Sequence, residues 1–140
     1  MFLSEADLVD ASLANLLKEF IIKDNEIEYI QEPKGLFGIP DLIVFNGDVI
    51  SIEYKLKNWK QAMKQAFRYK CFSSETYVIL DHYYSAPAIK NIDEFKKFNI
   101  GLASVDEDRI YFYYRPIVSK PYNNQLYNKA LKMFIENPQK

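Results

Sequence analysis

The sequence predicts an α/β domain: a mixed β-sheet covered by α-helices on both faces. Three observations point there. Apolar residues recur at helical spacing over Ser4 to about Ile22, Asn58 to about Phe72, Ala86 to Asn99 and Asn123 to about Glu136. Apolar runs of strand length lie between them, at Glu26 to Gln31, on either side of Asn46-Gly47-Asp48, at Thr76 to Asp81, at Ile100 to Val105 and at Arg109 to Arg115. The resulting order is helix, strand, hairpin, helix, strand, helix, strand, strand, helix, which requires both parallel and antiparallel pairing.

Composition narrows the class. Of 140 residues, 49% are apolar and 16% aromatic, enough to bury a core within a single domain spanning residues 1–140. Four glycines and six prolines argue against a fibrous or low-complexity chain. The single cysteine, Cys71, excludes an intrachain disulfide and suits a reducing cytoplasm. The first residues carry no basic segment ahead of an apolar core, and no apolar run approaches the length of a membrane span. A soluble cytoplasmic protein is expected, with no membrane partner. The formal net charge of −1 lacks the basic excess common in nucleic-acid binders, although a cluster of metal-binding carboxylates lowers the total by itself.

Ser4 is a good N-cap for the first helix, with Asp7 three positions on. At about 100° per residue, Leu8, Val9, Leu13, Leu16, Leu17, Phe20 and Ile21 form one stripe. Glu5 falls inside its edge, and Asp10 and Glu19 well to either side. Glu5 is therefore the helix acid expected to face inward; the plain reading is a first-turn acid favoured by the helix dipole.

The stretch Gly38-Ile39-Pro40-Asp41-Leu42-Ile43-Val44-Phe45, then Val49-Ile50-Ser51-Ile52-Glu53-Tyr54-Lys55, reads as a hairpin with ionisable groups at its open end. Register decides what those groups do. A two-residue Asn46-Gly47 loop pairs Phe45 with Asp48 and puts Asp41 and Glu53 on opposite faces. A three-residue loop pairs Phe45 with Val49 and sets Asp41 across from Glu53, with Leu42, Val44, Ile50, Ile52 and Tyr54 sharing the other face. The three-residue loop, or a bulge near Pro40 with the same effect, is expected.

The second helix places Trp59, Ala62, Met63, Ala66 and Tyr69 on one face and Lys57, Lys60, Lys64 and Arg68 on the other. The basic row is a solvated face by default, and a rail for phosphates if it borders a site. His82 reads as a loop residue and Cys71 as a small core residue. Tyr111, Phe112, Tyr113 and Tyr114 read first as a half-buried strand, with base stacking as the functional alternative.

Glu53 and Lys55 are two apart on a strand and point the same way. With Asp41 beside them, two carboxylates and an ammonium converge. Hard oxygen donors of this kind suit Mg²⁺, with Mn²⁺ as an alternative, and Lys55 is placed to orient a water or steady developing charge on phosphorus. Without that convergence, Asp41 caps a turn after Pro40, and Glu53 and Lys55 form a surface ion pair.

Pro40-Asp41, eleven intervening residues, and Glu53-Tyr54-Lys55 resemble the PD-(D/E)xK nuclease superfamily. The run of elements from Ser4 to Asp81 is similar to the restriction-endonuclease-like core of that superfamily: a helix, three meandering strands, a helix and a further strand. Gln65-Ala66-Phe67-Arg68-Tyr69 is similar to the Gln-x-x-x-Tyr element of one branch, and Glu5-Ala6-Asp7-Leu8-Val9 to the first-helix acid of the archaeal Holliday junction resolvases. The resemblance implies a Mg²⁺-dependent nuclease acting on DNA. Asp41, Glu53 and the backbone carbonyl of Tyr54 would hold the metal, Lys55 would position the nucleophile and Glu5 would act through water or at a second ion. Gln65 and Tyr69 would support the site or touch DNA, and Lys57, Lys60, Lys64 and Arg68 would bind it. The alternatives are a catalytically silent DNA- or protein-binding module and a nuclease acting on RNA or branched DNA. Sequence specificity would need a homodimer or a helper protein. Nothing after Asp81 matches a diagnostic pattern.

Overall fold

The structure, a computed structural model, describes residues 1–19 and 27–136. Its elements are α1 (Glu5–Glu19), β1 (Glu28–Gln31), β2 (Leu42–Phe45), β3 (Val49–Lys55), α2 (Trp59–Tyr69), β4 (Glu75–Asp81), a 3₁₀ turn (His82–Tyr84), α3 (Ala86–Lys90), α4 (Ile92–Phe98), β5 (Gly101–Val105), β6 (Ile110–Tyr114) and α5 (Asn124–Ile135). The six strands form one mixed sheet in sequence order, β1-β2-β3-β4-β5-β6. The α/β class and the element order are as expected. The predicted ends of the first helix at Ile22 and of the first strand at Glu26 lie outside the described residues, as do the side chains of Leu17, Phe20 and Ile21.

Pairing follows from the connections. The ten-residue loop β1–β2 and the short turns β2–β3 and β5–β6 give antiparallel neighbours, whereas the helical crossovers after β3 and β4 give parallel ones. Both crossovers step in the same direction across the sheet, so their helices lie on one face. That face buries Ile43, Val49, Val78, Leu80 and Leu102 against Ala62, Ala66 and Tyr69 of α2, Phe95 of α4, and Ala130 and Phe134 of α5. On the other face, Leu8 and Leu16 of α1 pack on Leu42, Val44, Ile50, Ile52, Tyr54, Tyr77 and Ile79. Ser12 of α1 meets Tyr54 OH at 2.8 Å in this layer, which satisfies the phenol where burial alone would penalise it. β3 and β4, buried on both faces, are the continuous apolar runs that parallel central strands demand.

Ser4 caps the first helix as expected, and asparagines cap two others. Ser4 Oγ accepts from Asp7 N–H at 3.1 Å, Asn58 Oδ1 from Gln61 N–H at 3.2 Å, and Asn123 Oδ1 from Leu126 N–H at 3.0 Å. One element differs. The expected single helix from Ala86 to Asn99 is two, broken at Asn91, whose φ of −108° and ψ of 27° leave the helical region. Asn91 Nδ2 donates to Pro87 O at 2.8 Å, a local bond that competes with helix continuation and that the apolar periodicity does not reveal.

β6 is an edge strand, half-buried along its length, as expected for the tyrosine-rich run. Phe112 joins the α1 layer, whereas Tyr113 and Tyr114 pack with the opposite one. Cys71 is half-buried against the α2 layer. His82 is no free loop residue: it opens the 3₁₀ turn, its Nδ1 lies 2.8 Å from Ser104 Oγ, and its ring stacks on Tyr111 with centroids 4.2 Å apart. Among the described residues no helix is long and apolar enough to cross a membrane.

Candidate metal centre

The hairpin register is the three-residue one. Phe45 pairs with Val49, Val44 with Ile50 and Leu42 with Ile52, so Asn46, Gly47 and Asp48 form the turn, with Gly47 at a φ of 103°. One further step along this ladder sets Asp41 opposite Glu53. Asp41 sits just ahead of β2, where its N–H donates to Ile52 O at 3.1 Å and its Oδ2 accepts Tyr54 N–H at 2.7 Å. The carboxylate is thus pinned to the carboxyl end of β3.

Glu53 is only 4% exposed. Its Oε1 accepts the Tyr69 hydroxyl at 2.6 Å, and the same hydroxyl lies 3.1 Å from Ile39 O. The tyrosine reaches the strand because Gly38, at a φ of 83°, makes room: a Cβ there would stand 3.0 Å from the Tyr69 ring. Burial pushes the Glu53 carboxyl up to about 7; the Tyr69 hydrogen bond and Lys55 pull against that, while Asp41 and Glu5 add to it. Burial also raises Asp41, partly countered by the Tyr54 N–H, and the charges of Glu5 and Glu32 push in the same upward direction. The phenols of Tyr54 and Tyr69 are driven well above the ordinary tyrosine value by burial, and Tyr69 also by Glu53.

Lys55 closes the strand with its Nζ 4.0 Å from Glu5 Oε2, and the Glu5 side chain is 47% exposed. Glu5 therefore stands on the rim rather than facing the interior, where it also lines the groove beside Asp41. Among the described residues no three His, Cys, Asp or Glu side chains form a group able to hold a metal ion. What remains is the pair of carboxylates Asp41 and Glu53, with Glu5 engaged by the lysine.

Gln65 lies on the inward side of α2, three residues after Ala62 and four before Tyr69. Its Oε1 is buried with no hydrogen-bond partner among the described residues, a state costing about 1–3 kcal/mol. Lys57, Lys60, Lys64 and Arg68 are all exposed; the last three share a face of α2 as the helical spacing requires, whereas Lys57 lies ahead of the Asn58 cap, outside the helix.

Two acids of the site escape sequence reasoning. A groove of about 310 Å³ beside Asp41 is lined by Glu5, Ala6, Val9, Asp10, Gln31 and Glu32. Asp10 falls outside the apolar stripe yet borders this groove, since α1 presents the adjacent rows 5/9 and 6/10 to it. Glu32 donates its N–H to Asp41 O at 3.0 Å from a left-handed φ of 48°. The β1–β2 register, Gln31 opposite Leu42, brings it there; it is legible only once the strands are paired.

No family model matches the chain, and no curated protein matches it. Among solved structures, the SPO1766 protein of unknown function from Silicibacter pomeroyi has a similar fold. The TM-score is 0.67 over 99% of this chain and 89% of that one, at 15% sequence identity. The likeness concerns the fold alone.

Proposed function

We propose that this chain is a metal-dependent nuclease of the PD-(D/E)xK class, hydrolysing DNA phosphodiester bonds, and that α1 to β4 is its restriction-endonuclease-like core. The observation that carries the reading is the convergence at the carboxyl end of β3. Asp41 and Glu53 are held side by side by Tyr54 N–H and Tyr69 O–H, next to Lys55, against a desolvation cost that lifts Glu53 to about 7. A fold that only needed stability would not bury acids there. The order of elements and the Pro40-Asp41 and Glu53-Tyr54-Lys55 spacing support the same assignment.

The donor chemistry fits Mg²⁺. Each carboxylate has one oxygen anchored by a protein donor, Asp41 Oδ2 and Glu53 Oε1. The charges of Glu5 and Glu32 stand against that of Lys55 beside the pair. Asp41, Glu53 and the Tyr54 carbonyl would hold the ion. When bound, it would supply an acidified water and offset charge on the phosphate.

The chain's own residues do the rest. Tyr69 fixes the Glu53 rotamer and favours its ionised form. Glu5, with Oε2 4.0 Å from Lys55 Nζ, directs the ammonium along the strand end. Lys55 orients the attacking water and steadies charge on the phosphate oxygens. Water oxygen bonds to phosphorus and loses a proton to solvent; the P–O3′ bond breaks, and the 3′ oxygen takes up a proton, leaving a 5′-phosphate. Lys57, Lys60, Lys64 and Arg68 offer the phosphate contacts that an acidic site needs beside it.

The test is nicking of supercoiled DNA with Mg²⁺ or Mn²⁺. The wild-type chain should cut, while Asp41→Ala and Lys55→Ala should each lose cutting with unchanged circular dichroism. Absence of metal-dependent cleavage on linear, single-stranded and junction DNA alike would replace this reading with a silent binding module.

A further inference from the structure

A second recess lies at the same end of the sheet. β3 and β4 are parallel, with Lys55 beside Leu80, so the segments leaving both strands emerge together. Crevices beyond the carboxyl ends of parallel strands are where open α/β sheets take ligands. Here the segments are Lys57 to Lys60 after β3 and the 3₁₀ turn His82–Tyr84 after β4, and together with Pro87 they line a shallow, open recess of about 450 Å³. Its walls are aromatic and basic: Lys57, Trp59, Lys60, Tyr83 and Tyr84.

The turn that presents the tyrosines is built rather than loose. Asp81 is buried; its Oδ1 accepts Tyr83 N–H at 3.0 Å, its Oδ2 accepts Phe2 N–H at 2.7 Å, and Ser85 Oγ donates to His82 O at 2.8 Å. On this fixed turn Tyr83 is 69% exposed and stands edge-on to Tyr84, with ring centroids 4.9 Å apart. Lys57 Nζ lies 5.4 Å from the Tyr84 ring and Lys60 Nζ 5.7 Å from the Trp59 ring, each near enough for cation–π attraction. A rigid exposed aromatic flanked by ammonium groups is the combination that stacks a base while its phosphate is held. Among the described residues no acid lines the recess to oppose a phosphate, in contrast to the groove beside Asp41.

We infer that this recess is a subsite for an unstacked nucleobase next to the scissile phosphate, so that the substrate is single-stranded DNA or a frayed duplex end rather than continuous duplex. The inference rests on the nuclease reading for the word substrate, but not for the binding itself. Continuous duplex cannot enter, since its bases are stacked on one another and only its phosphates would reach the lysines. Tyr83 supplies the stacking face, Tyr84 and Trp59 the walls, and Lys57 and Lys60 the phosphate contacts.

Binding and cutting are measured separately. Fluorescence anisotropy in EDTA compares a labelled oligo(dT) with a duplex of equal length, for the wild-type chain and for Tyr83→Ala, an exposed position whose change spares the core. The wild-type chain should prefer the single strand, and Tyr83→Ala should weaken single-strand binding about 5- to 150-fold, the cost of one lost stack. Its duplex binding should stay within about twofold. Tyr83→Trp should keep the preference, and Tyr83→Leu should not, which separates stacking from mere bulk. Equal wild-type affinity for duplex and single strand, or a Tyr83→Ala chain with undiminished preference, overturns the subsite even if the protein cuts DNA. A chain that never cuts but shows the Tyr83-dependent preference keeps the subsite and loses the nuclease.

Discussion

Glu53 offers a measurement that needs no substrate. Its carboxyl sits at about 7 in the folded chain, against the 4.5 of an unperturbed glutamate, because burial disfavours its charge. The acid is raised, so the folded chain holds the proton more tightly than the unfolded one, and stability falls as pH rises from about 4.5 to about 7. Above that window the penalty is constant, and below it the penalty vanishes. Integrated between pH 5 and pH 8, the two values give ~2.5 kcal/mol, an upper limit because relaxation and water at the strand end lessen it.

Glu53→Gln removes the titration while keeping an oxygen for the Tyr69 hydroxyl. Its stability advantage over the wild-type chain should therefore be small at pH 5 and grow by about 1–2.5 kcal/mol at pH 8. Urea unfolding at both pH values reads this as an extra shift of roughly 0.5–1 M in the midpoint difference. Subtracting the two proteins cancels the acids that do not interact with Glu53 and leaves Glu53 with its coupling to Asp41 and Glu5. A difference between them that does not change with pH would refute the claim that Glu53 is buried against its charge. A difference that shrinks as pH rises would reverse its sign and refute it more firmly.

Other perturbations test neighbouring links. Tyr69→Phe removes the hydroxyl that lowers the Glu53 pKa, so the acidic limb of a pH–activity profile should move to higher pH, and stability should drop by about 1–2 kcal/mol; an unmoved limb would remove Tyr69 from the site. Gly38→Ala should destabilise the chain by about 1–3 kcal/mol, because the left-handed backbone and the Tyr69 ring both oppose a Cβ; a neutral result in urea melts would refute that close approach. Magnesium binding followed by calorimetry should weaken about tenfold per pH unit below 7, since one proton must leave Glu53, and should release that proton to buffer. Replacing Lys60 and Lys64 by alanine should flatten the salt dependence of DNA binding by up to about two units of slope, and an unchanged slope would return that row to solvation.

What the sequence determined by itself is local or nearly so. Periodicity marks α1, α2 and α5, because a helix buries one stripe, and Ser4 marks where the first begins. The Asn46-Gly47-Asp48 turn between two apolar runs carries its register, since only one pairing puts Leu42, Val44, Ile50 and Ile52 together in a core, and Asp41 and Glu53 follow on the other side. The break at Asn91 stayed hidden because a single side-chain bond to Pro87 outweighs an unbroken apolar pattern. Tertiary structure alone decided the rest, for contacts between distant segments have no signature in spacing. The Tyr69 hydroxyl meets Glu53 across 16 positions and passes over Gly38, Lys55 finds Glu5 on another element, and Glu32 reaches Asp41 through a strand pairing. The degree to which burial raises the Glu53 carboxyl depends on the packing of α2 over the sheet, which no residue encodes alone. The order of residues along the chain supplies the acids; the packed sheet and its helices set their charge.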